Sequence, residues 1–144
     1  MIRKAVPSDI PKAVEIAIEA LSIDPYPELV ISRERVTQIV TECISSSANF
    51  AWVSEVDGVV VGGIGALVTP MIFHERSQAS VLLWYCPIPR DGAALMRKFL
   101  SWCKGRPMIK LIEYTGERGA DPKVGRLAKL LGLDQELPLY LKMR

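Results

Sequence analysis

Residues 80–104 read SVLLWYCPIPRDGAALMRKFLSWCK and carry three signals in order. Ser80 to Tyr85 is a strongly β-forming run, Pro87-Ile88-Pro89-Arg90-Asp91-Gly92 breaks it, and a helix follows from about Ala93 to Lys104. Within that helix Leu95, Phe99, Trp102 and Cys103 recur at spacings of four, three and one, which places them on one buried face. Met108 to Thr115 is the next strand run. A strand, a tight break, a helix and a second strand make a crossover unit, and such a unit sets two strands parallel in one sheet.

Upstream, the pattern predicts hairpins. Phe50 to Glu55 and the Val-rich run Val59 to Val68 flank Asp57-Gly58, a dipeptide suited to a two-residue hairpin turn. The segment from Thr69 to Ala79 is expected as a loop; it carries His74, the only histidine, and the apolar run Met71, Ile72, Phe73. Exposure of that run would suggest a protein partner or a dimer surface. At the start, Ile2 to Val6 is a short strand ended by Pro7, with Ser8 or Asp9 placed to cap a helix whose stripe is Ile10, Val14, Ala17 and Leu21. Asp24-Pro25-Tyr26-Pro27 stops it. Ser32 caps a second helix with the stripe Val36, Ile39, Val40, Cys43 and Ile44. Downstream of the crossover, Asp121 and Pro122 open a fourth helix through Val124, Leu127 and Leu131, Gly132 ends it, and Leu137 to Lys142 is expected as a last strand. The predicted class is α/β in the α+β sense: one domain over residues 1–144, with a mixed, mostly antiparallel central sheet and helices on both faces.

Composition narrows the function classes. The 144 residues carry 18 Lys+Arg against 16 Asp+Glu, a net charge of +2, with basic residues scattered. Neither nucleic acid nor a membrane surface is indicated as a partner. The uncharged stretch from Gly58 to Phe73 is shorter than the ~18–20 residues of a membrane helix. Cys43, Cys86 and Cys103 are far apart and lie in apolar stretches, which reads as free thiols with no metal site. No export signal is visible at the N-terminus, so a cytoplasmic location is expected.

The order of elements resembles the GNAT N-acetyltransferase superfamily, and four segments carry the likeness. Ile2-Arg3-Lys4-Ala5-Val6-Pro7-Ser8-Asp9-Ile10 is similar to the family's I-R-x-A-x-x-x-D start, and Asp57-Gly58-Val59-Val60-Val61-Gly62-Gly63 to its D/N-G-x-x-V-G hairpin. Leu83-Trp84-Tyr85-Cys86-Pro87 with the helix behind it resembles the acetyl-CoA segment, and Lys129-Leu130-Leu131-Gly132-Leu133 resembles the K-L-G-F that closes the last helix. Compact domains of this kind occur in bacteria and their phages, so the likeness extends to a phage-infected cell or a virion as a setting.

The resemblance implies transfer of an acetyl group from acetyl-CoA to an amine on a small molecule or protein. It places the cofactor on Leu83, Trp84, Tyr85, Cys86, Arg90, Asp91, Gly92, Ala93 and Ala94. The family's pyrophosphate loop, Q/R-x-x-G-x-G/A, is degenerate here: anchored on Gly92 and Ala94, it has Pro89 at the Gln/Arg position. Pro89 has no N–H for a phosphate, and Asp91 would bring a carboxylate beside it. A plain turn with Asp91 capping the helix behind it accounts for the same residues. Ala128 stands where the family often has a tyrosine acid, so Tyr85, or Tyr114 on the next strand, is the substitute candidate. Glu113, Glu55, His74 and Glu75 are the candidate bases, an amine needing to lose a proton as it attacks. Tyr26 and Glu28, between the first two helices, are the candidate acceptor-binding residues. A homodimer or larger assembly fits the same fold, as does a second reading in which the fold serves as a non-catalytic structural or interaction module.

Overall fold

Asp57 and Gly58 both take positive φ, 50° and 78°, the backbone of a tight turn whose twist matches that of its flanking strands. The hairpin they close joins β2 (Phe50–Val56) to β3 (Val59–Pro70). A computed structural model of the chain describes residues 1–22, 29–115, 122–137, 140, 142 and 144. Its other elements are β1 (Ile2–Lys4), a 3-10 turn at Pro7–Asp9, α1 (Ile10–Leu21), α2 (Arg33–Ser45), β4 (Ser77–Tyr85), α3 (Pro89–Lys104), β5 (Ile109–Tyr114) and α4 (Pro122–Leu130). The five strands lie in the order β1-β2-β3-β4-β5, antiparallel through β4, with β5 parallel to β4. This is the mixed, mostly antiparallel sheet that the hairpins and the crossover imply.

Each face has its own core. On one, Leu95, Met96, Phe99 and Cys103 of α3 and Ala128 of α4 pack on Phe50, Ile64, Ala66, Ala79, Val81 and Trp84. The Phe50 ring lies 5.3 Å from Phe99 and 5.2 Å from Trp102. A fully buried side chain of this size contributes about 1.5–3 kcal/mol. On the other face Ala5, Ile16, Val53 and Val60 form a smaller cluster, with α1 and α2 lying over β2 and β3.

The opening motif has a physical reason. Arg3 donates through Nη1 and Nη2 to the two Asp9 oxygens at 2.7 and 2.9 Å, and through Nε to Glu55 at 3.1 Å. Val6 N–H donates to Asp9 at 2.8 Å. The guanidinium foremost holds the Asp9 carboxyl below the usual carboxylate range. Asp9 therefore clamps the strand to the turn, where a cap for α1 was expected.

Other expectations shift. α1 buries Val14, Ile16, Ala17 and Ala20, so its inner face is rotated from the expected stripe. Ser32 does cap α2, its hydroxyl accepting from Arg35 N–H. The expected loop from Thr69 to Ala79 is shorter than predicted: β3 and β4 take its two ends and leave residues 71–76 between them, with Ile72 and Phe73 each 89% exposed. Asp24 to Pro27 and Asp121 lie outside the described residues. Of the expected strand Leu137–Lys142, the described members Leu137, Tyr140 and Lys142 carry no strand pairing. Among the described residues, no helix is long and apolar enough to cross a membrane.

Candidate functional site

β4 forks from β5. On one edge it pairs with β3 as far as Gly63–Tyr85; on the other it pairs with β5 only as far as Val81–Tyr114. From Leu82 to Tyr85 the β5-facing edge has no strand beside it among the described residues. At the branch point the register jumps from Ala66–Val81 to Gly65–Leu83, which leaves Leu82 as the extra residue of a bulge. A bulge bends and twists its strand, and it inverts the alternation beyond it. Ala79 and Val81 face α3, as does Trp84 after the bulge, while Tyr85 packs with the cluster on the α1 and α2 face. An unpaired edge of this kind is a template for an extended, amide-bearing ligand.

The helix after the fork starts earlier than its sequence suggests. α3 begins at Pro89, with Cys86-Pro87-Ile88 as the only connection, so Arg90, Asp91 and Gly92 are first-turn helix and not loop. Proline needs no N–H at the first helical position and suits its fixed φ, so Pro89 starts α3 where it was expected to be part of the break. Gly92 N–H already donates to Ile88 O at 2.9 Å, leaving the Arg90 and Asp91 N–H groups as the free first-turn donors. Asp91 does not cap the helix. Its carboxylate turns to the sheet, accepting from the Ser54 hydroxyl at 2.6 Å and from the Met1 amino group at 3.1 Å, and these hold it below the usual carboxylate range. Arg90 is exposed; Ala93 and Ala94 are half-buried in the second turn. The Trp84 indole N–H donates to Gly92 O at 2.8 Å, tying the end of β4 to α3. Gly92 itself is buried, but a Cβ there would sit 3.5 Å from Cys86 Cβ, an ordinary contact. The close approach is at Gly62, where a Cβ would lie 2.7 Å from Tyr85 O and 2.8 Å from Cys86 Cα.

The candidate bases are not together. Glu113 accepts from the Ser80 hydroxyl at 2.6 Å and from Gln78 Nε2 at 3.1 Å. Ile112 and Tyr114 pack toward α3, so Glu113 is on the opposite face, one residue short of the end of β4–β5 pairing. Tyr85 is half-buried on that same face. His74 lies before the start of β4, and the strand from Ser77 to Leu82 alone spans about 17 Å. The structure thus brings Glu113 to the start of the fork and leaves His74 beyond one end of β4 and Tyr85 at the other, five residues past Ser80, the partner of Glu113. Tyr114 meets Trp84 edge-on at 5.5 Å on the α3 face. Tyr26 and Glu28 lie outside the described residues. Burial pushes the Cys43 and Cys103 thiols up to about 12 and about 11, which makes both poor nucleophiles. Among the described residues no group of His, Cys, Asp and Glu could hold a metal ion. Ser80, Gln78 and the Leu82 bulge were not singled out from sequence. The readable signal was Val81-Leu82-Leu83-Trp84, four apolar residues that break strict alternation.

No protein-family model matches this sequence, and no curated protein sequence does. Solved structures match it over the whole chain. A predicted acetyltransferase with acetyl-CoA from Clostridium acetobutylicum superposes with a TM-score of 0.75 at 15% identity, covering 100% of this chain and 95% of that one. An aminoglycoside acetyltransferase from an uncultured soil metagenomic sample gives 0.69 at 16%, covering 100% and 97%. The aminoglycoside 6'-N-acetyltransferase of Acinetobacter haemolyticus gives 0.70 at 10%, covering 100% and 98%. The chain has the fold of these acetyltransferases, as the resemblance to the GNAT superfamily implied.

Proposed function

We propose that this chain is a GNAT-type N-acyltransferase that takes an acyl group from a coenzyme A thioester, acetyl-CoA in the simplest case, to an amine. The observation that carries the reading is the fork: Leu82 to Tyr85 present a free edge directly beside a tethered carboxylate, Glu113. Leu83 to Cys86 bind the pantetheine amides as an added strand would. The Arg90 and Asp91 N–H groups, the dipole of α3 and the Arg90 side chain face the phosphates. Asp91, bound to Ser54, is turned from them.

In the reaction the amine nitrogen bonds to the thioester carbonyl carbon and the carbon–sulfur bond breaks. The proton lost by the amine passes to Glu113, and the departing thiolate takes one from solvent. The fold likeness to acetyltransferases supports this reading, one of them solved with acetyl-CoA.

A second reading, a binding module without catalysis, is favoured by Pro87 and Pro89, which remove two phosphate donors, and by Ala128, a core residue where the resemblance puts a tyrosine. Calorimetry with acetyl-CoA, desulfo-CoA and ATP separates the two. Micromolar affinity for both CoA compounds and none for ATP is the expected result; no heat at millimolar ligand would leave the fold without its donor and select the second reading.

A further inference from the structure

The strongest feature outside the fork is an apolar cavity of about 220 Å³ between α1, α2 and the sheet. Its walls include Leu82 and Leu83 at the fork, Gly63 and Gly65 of β3, and Val40 and Cys43 of α2. Two glycines in mid-strand weaken a sheet; at Gly63 a Cβ would meet Trp52 O at 2.9 Å, whereas at Gly65 the missing side chain leaves space beside Cys43. A Cβ on Gly65 would sit at ordinary contact distance, 3.6 Å from Cys43 Sγ, so the lack of a side chain there is not forced by crowding. Among the described residues no charged side chain lines the cavity, and Cys43, its thiol pushed up to about 12, stays neutral. Such a space is closed to a polycationic amine or a sugar. It is suited to hydrocarbon.

We propose that this cavity holds the acyl chain of the thioester donor, so that the preferred donor is a medium-chain acyl-CoA with about eight carbons. An apolar cavity of about 150 Å³ holds benzene, or about 25 Å³ per carbon, and the same packing in this one gives about eight or nine. The donor side is favoured over the acceptor for a positional reason. Leu82 and Leu83 lie both in the wall and on the free edge, so a thioester at the fork has its acyl carbon at the cavity mouth. Glu113, which takes the amine proton, is not in the wall, and the amine approaches over β5. This inference rests on the acyltransferase reading.

The test is the affinity of octanoyl-CoA against acetyl-CoA, by calorimetry, in the unmodified chain and in Val40→Phe, which fills the cavity from α2. Ala13→Leu, which fills it from α1, serves if Val40→Phe does not fold. Each methylene removed from water is worth about a fourfold gain, and part of that is lost to ordering the chain. Octanoyl-CoA is expected to bind at least tenfold more tightly, and the filled variants should lose that advantage while keeping their affinity for acetyl-CoA. Equal affinities would overturn the acyl-chain assignment and leave the acyltransferase reading standing; binding of neither thioester would overturn both. Should octylamine show the variant-sensitive binding and octanoyl-CoA show none, the cavity belongs to the acceptor and the donor assignment falls.

Discussion

Ser80 and Gln78 hold Glu113 by hydrogen bonds of 2.6 and 3.1 Å, both to one oxygen, Oε1. The other oxygen has no hydrogen bond within the described residues and is free for an incoming N–H. Glu113→Gln keeps the shape and removes the proton acceptor, so kcat is expected to fall by about 10²–10⁴. Ser80→Ala leaves the carboxylate in place with only the longer of its two tethers, that from Gln78. Ser80 is a positioning residue, so that variant should lose about tenfold in kcat with KM for the thioester unchanged, and Ser80→Thr should restore most of it. Thiol release in steady state measures all three. A Glu113→Gln enzyme with unaltered kcat would remove Glu113 from the chemistry and leave solvent to account for the proton.

At the scale of elements, Gly62 of β3 lies close against the backbone at the end of β4. Gly62→Ala would drive a methyl into Tyr85 O and Cys86 Cα, backbone atoms that move only if β4 moves. Expected consequences are a loss of about 1–3 kcal/mol in urea unfolding and a weaker affinity for CoA compounds, because the displaced segment is the ligand edge. Gly65→Ala, with ordinary contacts only, should be neutral or slightly stabilising. The reverse order of the two variants would show that this approach is not tight. The hairpin, the crossover and the amphipathic stripes of α2 and α3 were legible from sequence because periodicity and the Asp57-Gly58 turn are local properties. The start of α3 was not, because Pro89 suits a break and a first helical position equally, and only the packing of Gly92 against Trp84 and Cys86 decides. The role of Asp91 was hidden for a related reason. Its partner Ser54 is 37 residues away, across the sheet, and no local pattern links them. Glu113 could be named from its strand, but its face depended on the register of β4 with β5.

On the scale of the whole molecule, groups at separate joints set how stability varies with pH. Asp9 ties β1 to the turn before α1, and Asp91 ties α3 to β2; both are held below the ordinary carboxylate range, Asp9 by Arg3 foremost and Asp91 by Ser54. A depressed carboxyl contributes stability above its unfolded pKa of about 3.9 and loses it as pH falls through the lower folded value. Buried Cys43 and Cys103 act in the opposite sense. Their raised values favour the neutral thiol, so their contribution is whole below the unfolded thiol pKa of about 8.5 and is lost as pH rises toward about 12 and about 11. Urea midpoints should therefore form a plateau between about pH 5 and pH 8, falling on both sides. Asp9→Asn is expected to lower the plateau by about 2 kcal/mol, since Asp9 is 7% exposed and takes both arms of Arg3, and to flatten the acid limb. Cys43→Ala should flatten the alkaline limb and leave the acid limb unchanged. An acid limb of unchanged slope in Asp9→Asn would mean that the Arg3 clamp does not govern acid unfolding, and the same measurement on Asp91→Asn would then show whether the joint between α3 and β2 does.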